Sequence, residues 1–291
     1  MRRPPAPARG KPATFFAGDA YDPVAGAGLV AWQRPNGVAL VRRDGADTGL
    51  NGRHPALGGG TLAYLVGDEV VIADAGSGEV RTRLPALGAQ VIGVSDALLA
   101  WRAPDAAGHD VLWTRTLGDG PGEPQPLAQA PPGGELGRPD VVAGRVLFHL
   151  AGSGGSRIVI ADPADGTHRT LRRTPRAQVS NPSSDGRLLL HVHASGRQQE
   201  LRLGPLAPHG EDEVIAVHPS SGRRDREHER GRQRHRHRYR APLPPIAPRG
   251  ETQSLWSTDL APDGAFVTRI VARAGQPRRA DILRVALPFK G

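Results

Sequence analysis

The stretch NPSSDGRLLLHV (181–192), followed by QELRL (199–203), constrains the fold more than any other part of the chain. It reads as a tight turn, a buried strand, a second turn and a partner strand. Its plan recurs. DPVAGAGLVAWQ (22–33), HPALGGGTLAYL (54–65) and RPDVVAGRVLFHL (138–150) each set a Pro, a few small residues and a Gly ahead of an apolar strand. LAPDGAFVTRI (260–270) has the Asp-Gly form of the turn, and SDALLAWR (95–102) is a shortened copy. Trp32, Tyr64, Trp101, Phe148, Leu190 and Thr268 take equivalent places in these copies.

A second strand follows each copy, at Val38–Val41, Glu69–Ala73, Val111–Thr114, Arg157–Ala161, Glu200–Leu203 and Asp281–Val285. With the segment 217–250 set aside, the repeat approaches the ~40–50-residue period of propeller blades. A lone four-stranded blade leaves two faces exposed; packing blades around an axis buries both. That accounts for runs such as Leu188-Leu189-Leu190, apolar on both sides instead of alternating. Asp-Gly supplies the positive φ of a tight turn, and the Pro before it is expected to pin the chain ahead of the strand. Gly 38 and Pro 28, with 38% hydrophobic residues, suit many short strands. The fold class is all-β, a six-bladed β-propeller. The last copy stops after its third strand, so the strand-like Thr14–Ala17 is expected to complete that blade and close the ring.

The run Asn181-Pro182-Ser183-Ser184-Asp185-Gly186 before its leucines, with Ala261-Pro262-Asp263-Gly264, resembles the repeat of TolB-like six-bladed β-propellers. The likeness covers roughly 14–216 and 251–291. It implies a non-enzymatic scaffold, periplasmic or secreted, that binds proteins or ligands through its loops and central channel. The same repeat occurs as the gating propeller of prolyl-oligopeptidase-like hydrolases, whose catalytic domain has no room here. No signal peptide stands in the sequence as given, because Pro4, Pro5, Pro7 and Pro12 interrupt the place of an apolar h-region.

The net charge of +9 is local. Residues 222–240 hold nine arginines against Asp225, Glu227 and Glu229, and Arg2, Arg3, Arg9 and Lys11 lie in the leader 1–13. The remainder is close to neutral, so the folded body has no general affinity for phosphate. The segment 217–250 reads as a disordered Arg/His/Pro-rich insert within a single propeller domain, 14–291. Its basic patch, Arg223, Arg224, Arg232, Arg234, Arg236, Arg238 and Arg240, is the one route to nucleic acid or an anionic surface. A tolerated loop expansion is the favoured reading, since long surface insertions cost little closure entropy.

Cysteine is absent, which removes disulfides and thiolate chemistry. The chain has no Gly-x-Ser-x-Gly elbow, His-Glu-x-x-His or Walker loop. Gly152-Ser153-Gly154-Gly155-Ser156 reads as a hairpin linker and not a phosphate cradle, because no helix follows it. His191 and His193 stand at strand spacing, so both rings point to one side and are the candidate ligand or metal residues. A propeller hydrolase or lactonase would need His191, His193 or His149 to converge with acids such as Asp140 or Asp185. The reading is therefore a binding scaffold without cofactor, monomeric, with no transmembrane segment and with a protein or small-ligand partner at a channel mouth.

Overall fold

The computed structural model describes residues 13–17, 20–42, 47–118, 122–196, 198–219, 251–261, 264–273, 279–285 and 287. Every regular element among them is a β-strand.

These strands pair into six antiparallel sheets. The first runs β2 (Tyr21–Gly26), β3 (Leu29–Arg34), β4 (Gly37–Arg42), β5 (Asp47–Leu50). The second runs β6 (Arg53–Gly58), β7 (Thr61–Val66), β8 (Glu69–Asp74), β9 (Val80–Pro85). The third is β10 (Val91–Val94), β11 (Leu98–Pro104), β12 (Asp110–Thr116), β13 (Gln125–Gln129). In the fourth, β14 (Glu135–Leu136) and β15 (Asp140–Val142) share β16 (Arg145–Gly152), followed by β17 (Gly155–Ala161) and β18 (His168–Thr174). The fifth is β19 (Gln178–Ser184), β20 (Leu188–Ser195), β21 (Gln198–Pro205), β22 (Glu213–Pro219). The sixth joins the two ends of the chain: β23 (Glu251–Ala261), β24 (Gly264–Arg273) and β25 (Arg279–Val285) are followed by β1 (Ala13–Ala17). Ala13 pairs with Arg284 and Ala17 with Asp281.

The core explains the doubly apolar strands. Alternate side chains of one strand enter different clusters, each shared by two neighbouring sheets. On β20, Leu189 packs with Leu147 and Ile158 of the fourth sheet, whereas Leu190 packs with Val267 of the sixth. On β7, Leu62 and Tyr64 pack with Val24 and Ala31, whereas Ala63 and Leu65 join Ile92 and Trp101. Trp32 is buried with Phe266 and Ile282, which ties the first sheet to the sixth. Each large side chain buried this way contributes about 1.5–3 kcal/mol, and the sum sets neighbouring sheets face to face.

The inner strands β2, β6, β10, β15, β19 and β23 touch in that order, and β23 touches β2. Each is an edge strand, paired on one side only. The prolines stand ahead of the apolar strands β3, β7, β16 and β20, as expected, but in or next to the inner strands, a stretch that reads from the sequence as a turn. Pro23, Pro55 and Pro182 sit at register shifts in β2, β6 and β19, and the residues before them, Asp22, His54 and Asn181, have φ of 48°, 50° and 50°. Asp, His and Asn are the non-glycine types that enter this left-handed region most readily. A proline costs no ladder hydrogen bond on the unpaired side of an edge strand, and the bulge blunts that edge. Two glycines bring sheets close together. A Cβ at Gly58 would lie 1.9 Å from the Val94 carbonyl oxygen, and one at Gly93 would lie 2.5 Å from that of Pro139.

β22 continues to Pro219, three residues into the segment read as the insert 217–250; residues 220–250 lie outside the described residues, as do 1–12 of the leader.

Candidate binding site between the inner strands

Where the inner strands converge, every sheet contributes to one pocket, through Val24, Ala56, Gly93, Asp140, Ser183 and Asp259. The cavity is about 30 Å³, space for a water molecule or two.

Its polar groups bind one sheet to another. Ser183 Oγ donates to Asp259 Oδ1 at 2.6 Å and accepts from the Leu260 amide at 3.0 Å. The other oxygen of Asp259 accepts from the Ala25 amide, so this carboxylate joins the fifth, sixth and first sheets. Asp140 Oδ2 accepts from the Ser184 amide at 2.8 Å. The Thr258 hydroxyl donates to the Asn181 carbonyl at 2.6 Å. Arg138 reaches past the third sheet and donates to the Pro55 carbonyl at 2.5 Å. Close by, His54 Nδ1 stands 3.1 Å from Asp22 Oδ2.

Burial pushes the Asp140 carboxyl up to about 7, and the negative charge of Asp259 adds to the effect. Asp259 is raised as well, chiefly by burial, while the Arg138 charge tempers both. Two carboxylates in so narrow a space resist full ionisation, and their protons come off as a pair. The arrangement accepts hydrogen bonds and favours a positive or proton-donating visitor.

The histidines singled out in the sequence go elsewhere. His191 is buried, with Nε2 at 3.0 Å from Asp212 Oδ2. Arg172 Nε and Nη2 clasp the same carboxylate at 2.6–2.9 Å. Burial opposes ionisation of Asp212, but the hydrogen bonds from His191 and Arg172 outweigh it and hold the carboxyl well below its usual range. His193 Nδ1 lies 3.7 Å from Glu200, which Arg202 also holds. Burial, then the Arg202 charge, lowers the His193 imidazole. His149 is buried; burial and Arg102 lower it to about 4. Asp185 caps the turn to β20, accepting from the Arg187 and Leu188 amides.

The convergence of His191, His193 or His149 with Asp140 or Asp185 that a hydrolase or lactonase would need is therefore not what the fold makes. His191, His193 and Asp185 have partners within the fifth sheet and its turns, and Asp140 is engaged by the Ser184 amide. Among the described residues, no group of three or more His, Cys, Asp or Glu is placed to hold a metal. The basic patch from Arg223 to Arg240 lies outside the described residues.

Asp259, Arg138, Ser183 and Asn181 were not anticipated. A signal for part of the set was present: the residue after Pro in four copies, Val24, Ala56, Asp140 and Ser183, lines the pocket each time.

No family model and no curated protein matches the chain. Solved structures do. The acylaminoacyl peptidase of Pyrococcus horikoshii superposes over 94% of this chain and 46% of its own, with TM-score 0.53 and 12% identity. TolB from Acinetobacter baumannii gives 0.49 at 14% identity, over 92% of this chain and 63% of its own. The β-propeller domain of the Trilobed protease from Pyrococcus furiosus gives 0.44 at 12% identity, over 67% and 83%. The fold is a β-propeller. The chain spans under half the length of the acylaminoacyl peptidase it matches, and at such identities the propeller likeness is one of fold alone. No helix among the described residues is long and apolar enough to cross a membrane.

Proposed function

We propose that this chain is a six-bladed propeller, its ring closed by β1, that serves as a non-catalytic binding scaffold and takes a partner polypeptide or small ligand at a channel mouth. The observation that carries this reading is the use made of Asp140 and Asp259. The axial groups best suited to acid–base work are committed to hydrogen bonds between sheets, in a cavity with room for a water or two. A ligand is thus met from outside the constriction, and the carboxylate pair behind it selects a group that donates hydrogen bonds or carries positive charge.

The test places a photo-reactive residue at Leu57, on the pocket wall, and crosslinks in cells, while the purified protein is assayed on lactone, ester and peptide substrates. A discrete adduct that weakens in Asp259→Asn, without turnover, is the expected result. Turnover that Asp259→Asn abolishes would overturn the scaffold reading in favour of an enzyme.

A further inference from the structure

A second cavity, of about 170 Å³, lies away from the axis, lined by the β16–β17 hairpin, Pro131, Arg157 and Arg173. It is several times the ~30 Å³ that one water occupies in the liquid. Arg157 and Arg173 are directly opposite one another on β17 and β18. Like charges in that position repel. Both side chains are exposed, and neither has a hydrogen-bond or ion-pair partner among the described residues.

The hairpin beside them adds neutral donors. Gly152 pairs with Gly155, leaving Ser153 and Gly154 as a two-residue loop whose amides donate to no backbone carbonyl among the described residues. Gly155 has φ +100°, and a Cβ there would lie 2.3 Å from the Thr174 carbonyl oxygen. Only glycine lets the hairpin lie this close to the end of β18, next to Arg173. Leu150, opposite Arg157 on β16, gives the cleft an apolar wall.

We propose that this cleft binds a phosphate monoester group, held between the Arg157 and Arg173 guanidiniums and capped by the amides of Ser153 and Gly154, so that the hairpin that reads as a linker in the sequence joins an anion site through the arginine pair beside it and not through a helix. A doubly charged oxyanion converts the repulsion of the pair into charge-assisted hydrogen bonds, and guanidiniums match phosphate oxygens two at a time. The site is separate from the channel and does not depend on its role.

The test uses the full chain, with inorganic phosphate and glycerol phosphate in calorimetry and phosphatidylcholine vesicles with and without phosphatidic acid in sedimentation. Saturable binding that falls at least tenfold in Arg157→Gln/Arg173→Gln, but not in Arg187→Gln at the exposed 185–187 turn, is expected. Response to the soluble phosphates identifies a free ligand; response to the acidic vesicles alone identifies a lipid headgroup. The double variant should also melt no lower than the wild type without ligand and lose the rise in Tm that phosphate produces. Unchanged binding in the double variant, or no saturable binding in either format, would overturn the proposal.

Discussion

Asp140 and His149 lie on opposite sides of the same electrostatic problem. Each is pushed towards its neutral form by burial, and the two costs to stability grow in opposite directions of pH. The Asp140 carboxyl, pushed up to about 7, keeps its proton in the folded state where the unfolded chain has lost it. Its cost is absent below the unfolded pKa near 3.8, grows as pH rises and is complete above about 7. His149, lowered from 6.5 to about 4, is neutral in the fold, so its contribution falls as pH drops through that interval. Asp140→Asn retains an acceptor for the Ser184 amide and removes the charge. It should raise Tm at pH 8, by the equivalent of roughly 1–3 kcal/mol given 1.4 kcal/mol per pKa unit, and change little at pH 4. A melting series across that range decides it. Equal effects at both ends would mean that Asp140 is held ionised by Arg138.

At the scale of elements, β18, β20 and the segment before β22 are tied by one buried cluster. Besides Asp212, Arg172 donates to the carbonyls of Leu171, Ala207 and Pro205. Removing the guanidinium leaves Asp212 and three carbonyls short of a donor in a buried setting. Arg172→Ala should therefore cost about 3–5 kcal/mol, read from urea unfolding. A loss below 1 kcal/mol would show that water replaces the guanidinium freely. His191 illustrates what strand spacing conveys and what it omits. The i, i+2 pattern put His191 and His193 on one side of β20, but Asp212 arrives through a turn on another strand pair. The prolines teach a similar lesson. Their recurrence marked the copies, yet the bulge they occupy follows from β2, β6 and β19 being inner edges, which is a property of the sheets.

Across the whole molecule, the sixth sheet has one strand from the beginning of the chain and three from its end. Deleting residues 1–17 strips β25 of its β1 partner and exposes an edge. At roughly 1 kcal/mol net per ladder hydrogen bond, the loss is a few kcal/mol, with a tendency to associate through the bared strand. Deleting 1–11 alone should leave Tm near that of the full chain. Light scattering and thermal melts on the two truncations provide the comparison, and equal behaviour would show that β1 adds nothing to the sixth sheet.

By itself the sequence determined the all-β class and the two central strands of each sheet, whereas the inner strands, such as β19 over 181–184, read as turns. Apolar runs such as Leu188-Leu189-Leu190 and the spacing of Gly and Pro act over a few residues, so they are legible without a fold. The tertiary structure decided which side chains meet. Asp140, Ser183 and Asp259 come from three different sheets and, with Arg138, reach one small cavity only because the inner strands converge. That convergence follows from packing both faces of every sheet, and no local pattern encodes which polar residues it brings within hydrogen-bonding distance.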